Sequence, residues 1–392
     1  MRENRQLTKA KSAKNDEFYT QYADIQKEIN AYLDFNLDTF RGKTVLLLCD
    51  DPEWSKFTRF FAENFERLGL KKLISTSYAA ASKKVFNAET ERHRGGRAAC
   101  PHAAPQWYQP SLFEQQSPQF DPDKTAVRGK IFVLDHDANA NGRIDLDDLE
   151  WKYLDGDGDF RSEEVCKLRD EADVIITNPP FSLFREFLAW IMGNGNDDLA
   201  QRRRGTEKKT KQFLIIGNIN CIKYKEVFPL IMRNEVWLGH GMGRWISGFI
   251  VPQSYELYGT EAGIDEDGNR IVATNNCLWL TNIDHGRRHR PLQLMTMEDN
   301  IRYSKHKDVR GVGYRKYDNF DAIDIPHTDA IPGDYDGVMG VPITFLDKFC
   351  PEQFEIVGEF NHGSDSSFDL AKPIIDGREL YPRVAIRARR SK

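Results

Sequence analysis

The feature that most constrains the fold is a short hydrophobic run that ends in a rigid polar loop. The run Val174–Thr177 (Val-Ile-Ile-Thr) is β-branched throughout, which is typical of a buried strand, and Asn178–Phe181 (Asn-Pro-Pro-Phe) follows it directly. The two prolines fix their own φ angles and disfavour helical backbone in the residue before each of them. The sequence therefore predicts a stiff loop at the carboxyl end of a strand, where ligands bind in open α/β sheets.

This loop has the groups needed to activate an exocyclic amine on a planar base. Such an amine is a poor nucleophile because its lone pair is delocalised into the ring. Acceptance of its two hydrogens by the side-chain oxygen of Asn178 and the main-chain carbonyl of Pro179 would free the lone pair and stabilise the developing positive charge. Pro180 would stiffen the loop, and Phe181 would stack on the base. The alternative interpretation is a proline-rich turn with a packed phenylalanine.

Hydrophobic runs alternate with amphipathic segments in the first 240 residues. Strands are predicted at Val45–Cys49, Leu73–Thr76, Lys130–Leu134, Val174–Thr177 and Phe213–Gly217, and helices near Ala23–Phe35, Ser55–Leu68 and Leu183–Met192. This alternation is typical of an α/β protein with a doubly wound sheet. Beyond about residue 240 the sequence is rich in turns and short strand-like segments, which predicts a second, less regular module.

Composition excludes several classes of protein. A hydrophobic fraction of 40% with 11% aromatic residues favours a folded chain over a disordered one. No run approaches the about 18 apolar residues of a membrane span, and the amino terminus lacks the apolar core of a signal peptide. The six cysteines are scattered without a Cys-x-x-Cys pair, which favours reduced thiols in the cytoplasm over disulfides or a zinc site. A net charge of −5 does not by itself indicate a nucleic-acid-binding protein.

Carboxylates lie at two further places where a second ligand could bind. Asp50-Asp51-Pro52 ends the first predicted strand, and its carboxylates could accept from ribose hydroxyls or from the amino group of a sulfonium cofactor. Asp159 and Phe160 precede Val174–Thr177 by one short helix, and there a carboxylate could accept from an adenine amine while the ring packs on the base. The alternatives are a turn that caps a helix and a turn with a packed phenylalanine, respectively.

These motifs, in this order, resemble the EcoRI-type adenine-specific (N6) DNA methyltransferases. The similar stretches are Asn15–Gln21, Cys49–Ser55, Gly156–Glu163, Thr177–Phe184, Tyr335–Phe345 and Arg378–Arg387. The resemblance as a whole covers nearly the entire chain apart from insertions near 79–127 and 193–211.

The resemblance implies a Rossmann-like class I methyltransferase sheet that binds S-adenosylmethionine. It implies cofactor contacts from Phe18, Tyr19, Thr20, Asp50, Asp51, Pro52, Asp159 and Phe160, and catalysis by Asn178, Pro179, Pro180 and Phe181. We predict a catalytic domain at 1–240, which contains both insertions, and a target-recognition region at 241–392 that completes the fold.

The predicted function is methyl transfer to N6 of a flipped adenine in double-stranded DNA, because the amine cannot reach a protein pocket inside a duplex. DNA contacts are expected from Arg244, Arg287, Arg288 and Arg290, which lie in loops. A restriction endonuclease that acts on the same site is a further expected partner. The alternatives are an RNA-adenine or protein-glutamine methyltransferase and a non-catalytic protein that binds DNA or calcium.

One acidic segment matches the oxygen-ligand spacing of a calcium loop. The matching residues are Asp137, Asn139, Asn141, Asp145 and Asp148, with aspartate instead of glutamate at the last position. A strand rather than a helix is predicted before this segment. We therefore predict a polar turn ahead of a short helix and no metal site.

Overall fold

The structure is a computed structural model that describes residues 19–48, 55–79, 117–193, 211–242, 246–251, 261–265, 268–273, 276–360 and 369–389. The chain divides into two compact units, Met1–Gly217 with Gly243–Cys277, and Asn218–Met242 with Leu278–Lys392. Most of the two predicted insertions lies outside the described residues. The predicted boundary at residue 240 separates catalysis from target recognition, and that functional division stays a prediction.

Strands and helices alternate in the first part of the described chain, and short strands dominate the rest. The strands are β1 (Tyr19–Thr20), β2 (Thr44–Leu47), β3 (Lys72–Ser77), β4 (Lys130–Leu134), β5 (Glu150–Tyr153), β6 (Val174–Thr177), β7 (Gln212–Asn218), β8 (Trp237–Met242), β9 (Phe249–Val251), β10 (Glu261–Ile264), β11 (Arg270–Val272), β12 (Cys277–Thr281), β13 (Ala322–Asp324), β14 (Val338–Val341), β15 (Phe354–Phe360), β16 (Asp369–Leu370), β17 (Ile374–Ile375), β18 (Arg378–Glu379) and β19 (Arg383–Ala388). The α-helices are α1 (Tyr22–Phe35), α2 (Lys56–Glu63), α3 (Phe65–Leu68), α4 (Pro122–Val127), α5 (Glu163–Glu171), α6 (Phe184–Ile191), α7 (Phe228–Met232) and α8 (Met297–Tyr303). None of these helices has the length and hydrophobicity needed to cross a membrane.

The predicted strands and helices of the first 240 residues are confirmed, and their sheet is mixed rather than wholly parallel. Its strands in the first unit lie side by side in the order β5, β4, β3, β2, β6, β7. Strands β3, β2, β6 and β7 are parallel, whereas β4 is antiparallel to β3 and β5 is antiparallel to β4. From β2 the chain continues to β3 on one side and later returns to β6 on the other. The strand order therefore reverses between β2 and β6, which is where open α/β sheets form ligand crevices.

A second sheet in the same unit joins residues that are far apart in the sequence. Its order is β1, β9, β11, β10, and its pairs are antiparallel. Tyr19 pairs with Ile250 and Thr20 with Phe249, so the amino-terminal motif is held by a strand more than 220 residues later.

Helix ends follow local capping rules. Ser55 accepts from the N–H of Phe57 at the start of α2, and Ser162 accepts from Val165 at the start of α5. Gly69, with φ of 62°, ends α3 in the left-handed conformation that glycine adopts without strain. The predicted helix over 55–68 is thus divided at Asn64 into α2 and α3.

The second unit contains a five-stranded sheet in the order β13, β14, β19, β15, β16 and an antiparallel pair of β8 with β12. Side chains of Met339, Phe345, Phe354 and Ile386 are fully buried. Strands and turns dominate the described part of this unit, and the assignment of target recognition to residues 241–392 stays a prediction.

A buried histidine lies in this second unit. His285 is 2% exposed, and its Nε2 donates to the carbonyl of Leu238 at 2.9 Å. Burial lowers the pKa of His285 to about 4, outweighing the hydrogen bond, which acts to raise it. The folded protein therefore keeps this imidazole neutral at pH values where an unfolded chain would protonate it.

We predict that His285 makes the second unit sensitive to acid. Its folded pKa is depressed, so its contribution to stability is fully present above the ordinary value of 6.5 and is lost as the pH falls towards 4. At pH 5 the loss is about 2 kcal/mol relative to pH 7.5. Urea unfolding of the wild type and of His285→Gln, which keeps a neutral donor, should show a smaller pH dependence in the variant.

His289→Gln is the matched control. Burial acts to lower the pKa of His289, but hydrogen bonds with Asp284 and Glu352 outweigh it and raise the pKa. Its contribution therefore has the opposite sign, and the variant should keep or increase the loss of stability in acid. Equal pH dependence of the wild type and His285→Gln would contradict the assignment.

Candidate active site

The ends of β2 and β6 are joined by a side-chain hydrogen bond. Thr177, the last residue of β6, is fully buried, and its hydroxyl donates to the carbonyl of Leu48 just beyond β2. Because β2 and β6 are parallel, both carboxyl ends lie at the same edge of the sheet. The loop Asn178–Phe181 starts at this point. Asp50, Asp51 and Pro52, which follow β2 in the sequence, lie outside the described residues.

The Asn178–Phe181 loop is anchored at both ends. Asn178 is half-buried and Pro179 is buried, while the carbonyl of Pro180 accepts from the N–H of Leu183 at 2.9 Å. Phe181 begins a 3₁₀ turn that runs directly into α6. The strand before the loop and the helix after it therefore hold the loop at both ends. The sequence predicts a stiff loop at this position because of its two prolines.

Phe249 connects this loop with the amino-terminal motif. The rings of Phe181 and Phe249 are 6.2 Å apart between centroids, and the main chain of Phe249 pairs with Thr20. Thr20 and Phe181 therefore both contact Phe249, a residue that the sequence did not single out. The apolar run Phe249–Val251 could have been predicted to form a strand, but its pairing with β1 could not be predicted from the sequence. Phe18 lies outside the described residues.

The Asp157–Phe160 loop packs against the carboxyl end of β3. The N–H of Ala79 donates to the carbonyl of Asp157 at 2.8 Å. Gly158 has φ of 86°, and a Cβ there would lie 2.5 Å from the carbonyl oxygen of Ser77. A glycine is therefore required by both conformation and space. This loop consequently lies at the edge of the sheet where β2 and β6 also end.

Asp159 forms an ion pair with Arg161, a residue that the sequence analysis did not single out. Its carboxylate accepts from Arg161 Nη2 at 2.6 Å and from the Arg161 main-chain N–H at 2.8 Å. Burial acts to raise the pKa of Asp159, but the hydrogen bonds and charge of Arg161 outweigh burial and lower it. Asp159 is therefore an ionised acceptor at neutral pH.

Phe160 lies in the hydrophobic core beneath that loop. It is 1% exposed, and its ring makes edge contacts with Phe187 at 5.2 Å and Trp190 at 5.7 Å between centroids. These contacts fix the loop to α6, the helix that follows the Asn-Pro-Pro-Phe motif. A direct contact of Phe160 with a cofactor stays a prediction.

The predicted calcium-like segment folds as a series of polar turns between β4 and β5. Asp137 accepts from the N–H groups of Asn141 and Gly142, and Asp148 accepts from those of Asn139 and Asp145. The side-chain oxygens of Asn139 and Asn141 also accept loop N–H groups. A strand precedes the segment and a 3₁₀ turn, Leu146–Asp148, ends it. The flanking elements are therefore not the helix pair of a calcium-binding hand.

Two histidines in the second unit lie close enough to share a metal ion with Asp308. Atoms of His306, Asp308 and His327 that could bind a metal lie within 4.8 Å of one another. The two imidazoles stack with centroids 3.7 Å apart and planes 9° apart. Nitrogen lone pairs lie in the ring plane, so those of parallel rings run side by side instead of converging on one point. This geometry disfavours a shared metal ion.

The predicted DNA-contacting arginines differ in what they touch. Arg287 donates to Asp347 at 2.5 Å and to the carbonyl of His240. Arg288 is 7% exposed, lies 3.5 Å above the Trp237 ring and pairs with Asp284 at 2.9 Å. These two guanidinium groups stabilise the second unit, and their DNA contact stays a prediction.

Arg290 is exposed at the end of the same basic turn. Arg244 lies outside the described residues. Of the described arginines proposed for DNA binding, Arg290 is thus the one whose environment suits a phosphate contact.

Comparison with known proteins identifies the family. The model of the family "Adenine-specific methyltransferase EcoRI" matches residues 6–379. The chain is 42% identical to the Type II methyltransferase M.EcoRI of Escherichia coli over 99% of its own length and 97% of that relative. It is 29% identical to the Type II methyltransferase M.MpnI of Mycoplasma pneumoniae over 90% of its own length and 84% of that relative. No solved structure matches the chain.

The match extends over nearly all of the chain, through both the motifs at the sheet edge and the second unit. It confirms the predicted activity, methylation of adenine in DNA, and the chain belongs to the EcoRI family of adenine-specific methyltransferases.

Proposed function

We propose that the protein transfers a methyl group from S-adenosylmethionine to N6 of a flipped adenine in duplex DNA. The observation that carries the proposal is the place of Asn178–Phe181 at the carboxyl end of β6, beside β2, where the strand order reverses. We further propose that β2, β3, β6 and β7 form a Rossmann-like class I methyltransferase sheet. The antiparallel β4 and β5 extend it at one edge.

The chemistry of the groups at this edge fits the cofactor. S-adenosylmethionine, when bound, supplies a methyl group on a positively charged sulfur that a nitrogen nucleophile can displace. Asp159 is ionised and could accept from the amine of its adenine. Asp50 and Asp51, with Pro52 shaping their turn, could accept from its ribose hydroxyls or its amino group, and Phe18, Tyr19 and Thr20 would complete the pocket.

The catalytic loop acts through fixed acceptors. Asn178 Oδ1 and the carbonyl of Pro179 would accept the two hydrogens of N6, which localises the nitrogen lone pair and stabilises the charge that develops there. Pro180 and the turn that begins at Phe181 prevent these oxygens from relaxing away from the base. Phe181, backed by Phe249, would stack on the flipped adenine. The proton on N6 becomes acidic after alkylation, so no strong base is required.

DNA binding completes the proposal. Extrusion of the base costs a few kcal/mol of stacking and pairing, so contacts to the surrounding duplex must compensate. We assign target recognition to the region 241–392 and groove or phosphate contacts to Arg244 and Arg290. The contribution of Arg287 and Arg288 would be to hold that region in shape. A cognate restriction endonuclease and a cytoplasmic location remain expectations.

Sequencing of plasmid DNA from cells that express the protein tests the proposal. We expect N6-methyladenine at one short sequence, and its absence from the plasmid of cells with an empty vector. The purified protein should transfer labelled methyl groups to a duplex that carries the mapped site. Transfer to RNA or to protein glutamine instead, with unmodified DNA, would refute the proposed substrate.

Replacement of Asn178 should remove methyl transfer while leaving the fold intact. Asn178→Ala deletes one of the two acceptors of N6, and loss of a comparable preorganised group costs about 10²-fold in rate. Single-turnover transfer to the mapped duplex measures the effect, and calorimetry should show that affinity for S-adenosylmethionine is retained.

Asn36→Ala is the control for this substitution. Asn36 is exposed, and its side chain accepts from the N–H of Asp38 in the turn after α1. We expect wild-type rates for this variant. Rates for Asn178→Ala within about twofold of the wild type would exclude the proposed role, since the lost acceptor predicts about 10²-fold.

Gly158→Ala should weaken cofactor binding through the backbone. The positive φ and the 2.5 Å approach to Ser77 force the Asp157–Phe160 loop to move. A left-handed alanine alone costs about 1–2 kcal/mol, and a comparable loss in binding is about tenfold in affinity. Gly156→Ala is the matched control, because a Cβ at that position meets nothing within 4 Å. Equal affinity of both variants for S-adenosylmethionine would contradict the assignment of this loop to the cofactor.

A further inference from the structure

We propose that Gln21 and Asp24 are positioning residues for methyl transfer, which act by fixing Ser247–Phe249 against the catalytic loop. The inference rests on the proposed role of Phe181. Both residues lie at the start of α1, directly after the Tyr19–Thr20 strand, and contact a segment more than 220 residues later.

Asp24 is a fully buried carboxylate. It is 0% exposed, and its Oδ2 accepts from the main-chain N–H of Ser247 at 2.8 Å and from the hydroxyl of Ser247 at 2.9 Å. The ammonium of Lys27 is 3.9 Å from the other oxygen. Burial raises the pKa of Asp24, and the bonds from Ser247 oppose that rise. Because a buried polar oxygen is costly without a donor, Oδ2 of Asp24 requires Ser247 in this place.

Gln21 fixes the orientation of the Ser247 hydroxyl group. Its Nε2 donates to the hydroxyl oxygen of Ser247 at 2.7 Å and to the carbonyl of Gly248 at 3.0 Å. Since an amide nitrogen only donates, the hydroxyl of Ser247 must accept from Gln21 and turn its own hydrogen to Asp24. The arrangement thus runs from Gln21 through Ser247 to Asp24, and it leaves the hydroxyl with one orientation.

Ser247 leads directly to the residue that supports the catalytic loop. Gly248 has φ of 154°, and a Cβ there would lie 2.7 Å from the carbonyl of Val272, so the chain passes close to β11. Phe249 follows at once, pairs with Thr20 and packs its buried ring against Phe181. A displacement of Ser247 would therefore shift Phe249 and release Phe181 from its position.

Asp24 cannot act on the substrate directly, because it has no exposed surface. The structure instead predicts an effect on the rate of transfer at saturating substrate. Misplacement of reacting groups by about 1 Å can cost on the order of 10²-fold, and we expect at least about tenfold here.

The test compares variants of the full-length protein in single-turnover methylation of the mapped duplex. Asp24→Ala and Gln21→Ala should lower the rate at saturating DNA and S-adenosylmethionine by about tenfold or more. The affinity for S-adenosylmethionine should stay within about threefold, a change that corresponds to less than 1 kcal/mol. Asp24→Asn should recover part of the rate, because its amide oxygen can still accept from Ser247.

Asp173→Ala is the matched control. Asp173 also accepts a main-chain N–H from a distant segment, that of Thr44 at 2.9 Å, but it does so at the amino ends of β2 and β6, opposite the catalytic loop. It should lower the melting temperature without lowering the transfer rate at a temperature where the protein is folded.

The outcomes separate this inference from the proposed function. An inactive wild type would refute the proposed function itself. An active wild type with wild-type rates for Gln21→Ala and Asp24→Ala would refute the positioning role alone. Equal loss of rate in Asp173→Ala would also refute it, because the effect would then follow general destabilisation. Gln21 is half-buried, so its variant decides the question even where Asp24→Ala fails to fold.

Discussion

The parallel pairing of β2 with β6 is the constraint on which the proposed site depends. Val45 pairs with Val174 and Leu46 with Ile175, and all four side chains are fully buried. Apolar residues on both faces of these strands leave no solvent-facing side, so the pair is stable only inside a sheet covered on both faces. The parallel direction then places both carboxyl ends at one edge, and the hydroxyl of Thr177 joins them at Leu48.

Three segments of the proposed site are each held in place by a different kind of interaction. Prolines restrict the Asn178–Phe181 loop, a close glycine contact seats the Asp157–Phe160 loop on β3, and polar bonds hold Ser247 before β9. Catalysis by positioned acceptors requires such rigidity, because an acceptor that must reorient during the reaction stabilises the developing charge less. Two of these interactions hold loops at the carboxyl ends of β6 and β3, and the third holds the segment before β9 that brings Phe249 against Phe181.

The local sequence pattern predicts the positions of the strands well, but it does not predict which strands pair with each other. Val174–Thr177 is a strand at the predicted residues, and the predicted Phe213–Gly217 extends by one residue at each end in β7. By contrast, the antiparallel direction of β4 and the pairing of β1 with β9 depend on residues far apart in the chain, and periodicity carries no information about them. Phe249 was missed for this reason.

The sequence also did not predict that two of the proposed site residues, Arg288 and Phe160, are buried. Arg288 lies in a basic run that favours solvent or phosphate, yet the Trp237 ring and Asp284 enclose it. Phe160 follows two aspartates in a turn, yet it packs between Phe187 and Trp190. A single sequence shows the residue type but not the surface that covers it, so the motif was predictable and its exposure was not.

The contact between Phe181 and Phe249 also shows why an apolar contact alone does not define a catalytic geometry. Dispersion and burial are nearly independent of direction, so two rings with centroids 6.2 Å apart could slide without much loss. Hydrogen bonds fall off steeply with angle, and the bonds from Gln21 through Ser247 to Asp24 therefore select one position of the strand that carries Phe249. Burial of the Asp24 carboxyl group strengthens that selection, since any other position of Ser247 leaves a buried oxygen without its donors in a low-dielectric environment. We infer that apolar packing supplies the stability of this part of the site, and that the buried polar contact supplies its geometry.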